Sequence, residues 1–272
     1  AGWVDAIARS PYAPPPILAP GPELSPAQAE VLQTLRAHGE GFGVFVLDGV
    51  TGSGKTEVYL RLIAEVLARG RQALLLVPEI GLTPQLVARV RERLPGRVAA
   101  LHSELSEGER VEAYAAAARG EVDVVIGTRS AVWTPLPRLG LVLVDEEHDG
   151  SYKQQDGIRY HARDVALLRA QAVGVPAVLG SATPSLESLR NVELGRFHRL
   201  ELPARVGAAK PPRWRVVDLR QQRLRDGLAA PTLTAIREHL AAGGQVLVFK
   251  NRRGYAPTLL CHDCGWLSEC PD

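Results

Sequence analysis

From residue 43 to residue 180, short and mostly apolar runs alternate with longer stretches whose apolar positions recur every three to four residues. The apolar runs predict strands at 43–47, 73–77, 98–101, 122–126, 141–145 and 177–180. Ala73-Leu-Leu-Leu-Val77 and Leu141-Val-Leu-Val144 carry no polar position on either face. Runs of this kind suit a parallel sheet covered on both sides. The helical period predicts helices at 26–38, 55–69, 84–94, 106–118, 162–173 and 184–192. Ser25 is a good N-cap for the first of them, with Pro26 in its first turn. Strands and helices alternating at this spacing predict an α/β fold with a mostly parallel, doubly wound sheet.

The pattern changes at both flanks. Residues 11–26 hold seven prolines and read as an extended linker. Pro, Arg and Gln dominate 201–230, where the only candidate strand is at 214–217. A helix is predicted at 232–240, stopped by Ala241-Ala-Gly-Gly, and a strand at 245–249. The expected organisation is a Pro-rich linker (1–23), a first lobe (24–203), a second linker (204–230), the start of a second lobe (231–260) and a cysteine segment (261–272). The chain contains no Met and stops at Cys270-Pro-Asp272, within a motif, which leads us to expect an excerpt of a longer protein.

Composition narrows the chemistry. At 46% hydrophobic and 23% charged the chain is ordinary globular protein. A net charge of +2 gives no bulk attraction to nucleic acid, so any basic surface must be local. No run of about 18 apolar residues exists to span a membrane. The N-terminal stretch, with early charge and then proline, does not read as a signal peptide. Only four of the 32 basic side chains are lysines, so Lys55 inside a motif points to a compact ammonium being wanted there.

That motif follows the strand at 43–47: Gly49-Val-Thr51-Gly52-Ser53-Gly54-Lys55-Thr56. Strand, G-x-x-x-x-G-K-T loop and helix are the context of a triphosphate site. Gly49, Gly52 and Gly54, with Thr51 and Ser53 between them, let backbone N–H groups converge on an anion at a helix N-terminus. Lys55 is placed to reach the β- and γ-phosphates and Thr56 to ligate Mg²⁺, so ATP and Mg²⁺ are the expected ligands. Asp145-Glu146-Glu147-His148 puts carboxylates at the C-terminal end of a buried strand, where such folds bind ligands. Asp145 is expected to hold Mg²⁺ and Glu146 to orient and deprotonate the attacking water. Lys55, Asp145 and Glu146 are therefore the catalytic candidates. His148 is placed to sense the γ-phosphate and relay its state.

Other strand ends share that edge. Gly180-Ser181-Ala-Thr183-Pro184 reads as a hydroxyl bridge to a neighbouring site, or as a helix cap with Thr183 capping; the two are compatible. The loops at 78–85, 101–104 and 127–130, the last with Arg129, suit phosphodiester contacts, and equally fit simple βα turns. The segment from Ser151 to Asp164 interleaves Tyr152 and Tyr160 with Lys153, Arg159 and Arg163. That mix stacks bases and holds phosphates; the alternative is a solvated loop with its Tyr rings packed on the domain. Cys261-x-x-Cys264, with Cys270 beyond, has the spacing of a structural Zn²⁺ knuckle, but too few ligands are present to close a site, so unliganded thiols stay open.

In this order the strings resemble the superfamily 2 helicases, and within them the DNA helicases of replication restart. The resemblance is carried by Gly49 to Tyr59, Val77-Pro-Glu-Ile-Gly-Leu-Thr-Pro-Gln85, Leu101-His-Ser, Ile126-Gly-Thr-Arg-Ser-Ala131, Asp145-Glu-Glu-His148, Ser151-Tyr-Lys-Gln154, Arg159-Tyr160, Ala162-Arg-Asp-Val165, Gly180 to Pro184 and Asn251-Arg-Arg-Gly-Tyr-Ala-Pro257. It implies a RecA-like P-loop NTPase lobe, then the start of a second such lobe with a zinc-binding insertion. It implies an ATP-driven 3′→5′ translocase in the bacterial cytoplasm, acting on single-stranded and forked DNA. Primosome and helicase-loading proteins and single-strand-binding protein are the implied partners.

The resemblance also implies roles for residues. The loop from Tyr152 to Arg163 couples single-strand binding to hydrolysis, with Arg129, His148, Ser181 and Thr183 among the coupling residues. Gln28 contacts adenine. Cys261 and Cys264 belong to one zinc and Cys270 to a second. The family's arginine finger and N-terminal DNA-binding domains find no match here, so this stretch alone is expected to bind nucleotide weakly and hydrolyse it negligibly. Two alternatives stand beside it: a P-loop DNA-binding scaffold whose ATPase is dispensable, and another superfamily 2 translocase.

Overall fold

Each central strand deals its side chains alternately to two cores. Phe45 and Leu47 go to one layer and Val44 to the other; Ala73, Leu75 and Val77 are opposed by Leu74 and Leu76; Leu141 and Leu143 by Val142 and Val144. That is the period-two pleat with both faces covered, the physical cause of the unbroken apolar runs. In the computed structural model the described residues are 21–78, 84–102, 105–207, 213–220, 222, 224–249 and 264.

The first unit, through residue 209, runs α1 (Pro26–His38), β1 (Gly43–Gly49), α2 (Lys55–Ala68), β2 (Gln72–Leu76), α3 (Pro84–Arg93), β3 (Val98–Leu101), α4 (Glu107–Ala118), β4 (Val124–Gly127), a 3₁₀ turn (Arg129–Trp133), β5 (Leu139–Asp145), a second 3₁₀ turn (Gly150–Tyr152), α5 (Ala162–Val173), β6 (Pro176–Ser181), α6 (Leu186–Glu193) and β7 (His198–Leu202). The strands form one sheet in the order β3-β4-β2-β5-β6-β1-β7, each neighbouring pair parallel. From β1 the chain steps outward to β3 and then returns across the sheet to β7. With right-handed crossovers this reversal sends α2 and α3 to one face and α4 and α5 to the other. The cores agree: Val58, Ile63 and Val90 pack in one layer with Val31 and Leu32 of α1, and Ala113, Ala116, Ala166 and Ala170 in the other. The connection after β1 leaves on one face while that after its neighbour β6 leaves on the other, which opens a ligand crevice at their C-terminal ends. The doubly wound α/β lobe is thus as expected.

Several boundaries differ. The helix expected from residue 184 begins at Leu186, because Ser185, not Thr183, caps it by accepting from the Ser188 N–H. β7 was not expected; its residues alternate exposed and buried, as an edge strand's do, and only Leu200 and Leu202 turn inward. Where β5 meets β2 the register slips at Gln72/Ala73, so Gly140 is skipped and Leu139 and Leu141 enter opposite cores.

The second unit holds a hairpin, β8 (Leu224–Arg225) and β9 (Leu228–Ala229), followed by α7 (Ala230–Ala241). Asp226 and Gly227 turn the hairpin at φ 52° and 78°, the left-handed pair a two-residue turn requires. The helix expected at 232–240 is present within α7. The strands expected at 214–217 and 245–249 are not formed. Trp214 is 90% exposed and Leu247 94%, and no described strand lies beside either segment to complete its hydrogen-bond ladder.

Candidate nucleotide-binding site

The crevice is built first by the β1–α2 loop. Gly52 and Gly54 sit at φ 80° and 82°, backbone that a Cβ would strain. Gly54 is the N-cap of α2 and offers no side-chain cap, so the first amides of the helix stay available to an anion. Lys55 is buried at the first position of the helix; its Nζ donates to the Gly49 carbonyl at 2.9 Å and lies 3.5 Å from Glu146 Oε1. A cavity of about 500 Å³ opens over this cradle, lined by residues 51–57, Asp145 and Glu146, with Arg89 and Arg93 of α3 on another wall. Ser53 Oγ is buried beside it with no hydrogen-bond partner. A cradle of helix-start amides, a buried ammonium, the Thr56 hydroxyl and a facing carboxylate fits a triphosphate with Mg²⁺.

Gln28 is placed differently from its expected contact with adenine. Its Oε1 accepts from the Ser25 N–H at 2.9 Å, closing a capping box on α1. Its Nε2 donates to the carbonyls of Ser53 (3.1 Å) and Gly54 (3.3 Å). Buried, with both ends of its amide engaged, Gln28 in this structure braces the phosphate loop instead of presenting an edge to a base.

Asp145 and Glu146 come from the end of β5, across the crevice. Two buried tyrosines fix Asp145: Tyr59 of α2 donates to Oδ1 at 2.9 Å, and Tyr152 donates to its backbone carbonyl at 2.7 Å. Burial raises the Asp145 carboxyl above the usual carboxylate range, opposed by the Tyr59 hydrogen bond, while Glu146 adds to the rise. Burial likewise raises Tyr59 far above the ordinary phenol value, with Asp145 adding to it, so Tyr59 remains a donor. Glu146 has φ 44°, a left-handed conformation unusual outside glycine, and its Oε2 lies 3.7 Å from His148 Nδ1. His148 Nδ1 is in turn 2.8 Å from Ser181 Oγ, which accepts from the Thr183 N–H at 2.8 Å. Acidic motif and hydroxyl motif are thus joined side chain to side chain.

Tyr59 also explains Gly180. A Cβ built on Gly180 falls 1.6 Å from the Tyr59 hydroxyl oxygen. Gly180→Ala is expected to destabilise the protein by about 1–3 kcal/mol in urea unfolding, as overpacking does. Tyr59→Phe is expected to recover part of that loss in the double variant; strictly additive losses would show that the hydroxyl is not what the methyl strikes.

Glu147 carries more contacts than its sequence position suggested. Fully buried, it accepts from Arg163 Nη1 (2.9 Å), the Ser185 N–H (2.6 Å), Ser185 Oγ (3.0 Å) and Ser188 Oγ (3.0 Å). One carboxylate thereby ties the end of β5 to the starts of α5 and α6. Neither this role nor that of Tyr59 follows from the motif spacings. The available signal was chemical: a buried Tyr or Glu needs a polar partner.

Two readings of the 151–164 loop are corrected. Tyr152 is 0% exposed, so its ring lies in the core and cannot stack on a base; what it touches is Asp145. Arg163 is buried between Glu147, Asp164 and Ser185, so its guanidinium is not free for phosphate. Lys153 is exposed and Tyr160 half-buried. Arg129 donates to the Ser151 and Lys153 carbonyls, both at 3.1 Å, holding the loop against the turn after β4. The expected loop contacts at 79–83 and 103–104 lie outside the described residues, as do Cys261 and Cys270; Cys264 is exposed. Among the described residues no cluster of three or more His, Cys, Asp or Glu forms a metal site. Mg²⁺ needs none, taking one or two protein oxygens with phosphates and water.

Comparison with known proteins agrees with this geometry. The chain is 50% identical over 248 residues to the replication restart protein PriA of Haemophilus influenzae, covering 91% of this chain and 34% of that protein. It is 46% identical to PriA of Synechocystis (92% and 31%) and 45% identical to PriA of Bacillus subtilis (84% and 29%). It spans about a third of the length of these curated relatives. The profile of the DEAD/DEAH box helicases matches residues 25–192, which run from the cap of α1 through α6 and include the phosphate loop, the acidic strand end and the Ser181–Thr183 motif. The chain belongs to the DEAD/DEAH box helicase family.

Proposed function

We propose that this chain is the ATP-binding lobe of a replication-restart DNA helicase, a motor that moves 3′→5′ on single-stranded DNA and acts at forked DNA. The observation that carries the reading is the approach of Lys55 Nζ to Glu146 Oε1 at 3.5 Å beside the cavity, which joins the phosphate loop to the acidic strand end. Bound ATP–Mg²⁺ supplies the phosphoryl chemistry. Thr56 and Asp145 would hold the metal, Lys55 would bind the outer phosphates, and Glu146 would take the proton of the attacking water. The joined His148, Ser181 and Thr183 give a path from the acidic motif to DNA held at the strand ends, to which Arg129, Lys153 and Tyr160 contribute. Primosome and helicase-loading proteins, and single-strand-binding protein, are the partners proposed with it. The zinc reading of Cys261, Cys264 and Cys270 is part of the same proposal.

In the full-length protein, Lys55→Ala is expected to remove ATP hydrolysis and weaken nucleotide binding by about 10- to 150-fold, the worth of hydrogen bonds to a charged group, while DNA binding persists. Calorimetric titration with a non-hydrolysable ATP analogue, beside an ATPase assay, measures both. Undiminished ATPase refutes the assignment.

A further inference from the structure

The 3₁₀ turn Arg129–Trp133 ends in an indole that is 53% exposed, on backbone anchored from both sides. Arg169 of α5 donates to the Val132 carbonyl and, at 2.9 Å, to the Thr134 carbonyl, so the residues before and after Trp133 are held by one guanidinium. Tyr114 of α4 donates to the Ser130 carbonyl at 3.0 Å, and the Thr134 N–H closes the turn on Ala131. A Trp on a loose loop could fold its ring against the surface. Here the backbone that carries the ring is held by buried and half-buried partners, and the ring stays 53% exposed although burying it would be favourable.

What surrounds the ring indicates its ligand. Tyr160 meets it in a T-shaped contact, with ring centroids 5.2 Å apart and an interplanar angle of 73°, so this one ring leaves at least one indole face uncovered. On the two segments 129–133 and 152–161, Arg129, Lys153 and Arg159 face only Asp156 in formal charge. Neither Lys153 nor Arg159, both exposed, has an ion-pair partner among the described residues. The Arg129 hydrogen bonds to the Ser151 and Lys153 carbonyls join the segments, and the Lys153–His161 bridge closes the second on itself. A rigid aromatic face beside unpaired cations is the combination that holds single strands, a base on the ring and phosphates on the charges.

We propose that Trp133 is a base-stacking platform for single-stranded DNA, with Tyr160 as its T-shaped support and Lys153 and Arg159 on the adjoining phosphates. The proposal rests on the DNA-motor reading and adds to it a residue outside the motifs that define the family here. It also gives the surface aromatic contact that buried Tyr152 cannot make.

The test is binding of a fluorescent oligo-dT by the chain and its variants across a salt series. Trp133→Ala is expected to weaken binding by about 5- to 150-fold, the worth of one stacked base. The slope of affinity against salt should not change, because stacking releases no counterions. Lys153→Ala should instead reduce that slope by about one phosphate's share. Trp133→Phe, which keeps an aromatic face, should recover most of the affinity, and thermal unfolding of all three should match wild type. If wild type binds and Trp133→Ala binds within twofold of it, the platform is wrong and the DNA reading stands. A Trp133→Phe loss as large as that of Trp133→Ala, or an altered slope in Trp133→Ala, assigns the residue to packing and overturns the platform. If wild type itself does not bind, the platform falls, while the motor reading is judged by the Lys55→Ala experiment in the full-length protein.

Discussion

Glu147→Ala is expected to cost about 3–5 kcal/mol of unfolding free energy, as when one partner of a buried ion pair is removed. For a domain of this size that corresponds to a fall in Tm of roughly 6–20 °C. Four donors converge on the carboxylate in the native protein. The Ala variant leaves the Arg163 guanidinium with only Asp164 as a charged partner and strips Ser188 Oγ of its acceptor. Glu147→Gln keeps the shape and one acceptor oxygen and should lose less. Replacing both members, Glu147→Leu with Arg163→Leu, should restore most of the stability, because no charge is then left buried alone. Urea unfolding of the four proteins measures these differences. A loss below about 1 kcal/mol for Glu147→Ala would mean that water reaches and solvates Arg163, contrary to the burial described above.

The second large effect concerns Glu146, and there stability and activity should part. Its φ of 44° is strained for any residue but glycine and costs on the order of 1–3 kcal/mol. Glu146→Gly removes the strain and also loosens the unfolded chain, which offsets about 0.5–1 kcal/mol. The variant should therefore be as stable as wild type, or about 1 kcal/mol more stable. Hydrolysis in the full-length protein should nevertheless fall by about 10²–10⁴-fold, the usual contribution of a general base. Glu146→Gln should lose the same activity without the stability gain. An ATPase within tenfold of wild type in either variant would remove Glu146 from the role of base. The strain has a geometric use: it turns the carboxylate off the line of β5, toward Lys55 and His148.

The fold was legible wherever a run was buried on both faces or a helix kept one apolar stripe. The spacing predicts helix at 162–173, and α5 is Ala162–Val173. What escaped shares a physical reason: it depended on a partner distant in sequence. β7 alternates like many exposed segments and is a strand because β1 lies beside it. Residues 245–249 are as apolar as β2 but have no described strand to pair with. In the site, the phosphate loop and the acidic pair carry their own context, and the structure brings them together. For Tyr152 and Arg163 the sequence offers only residue type, and type does not say which way a side chain faces. Asp226-Gly227 is the opposite case, a hairpin signal that the sequence carries by itself.

The strand order has a consequence for synthesis on the ribosome. β1, which carries the phosphate loop, pairs only with β6 and β7, more than a hundred residues later in the chain. While the chain is being made, the phosphate-loop strand therefore waits without either neighbour until residues 176–202 have left the exit tunnel. Long-range parallel pairing of this kind folds slowly and leaves strand edges open meanwhile. The nascent lobe cannot complete its nucleotide cradle until nearly the whole sheet is available, so a chain arrested before β6 carries the phosphate-loop sequence without a pocket to hold ATP.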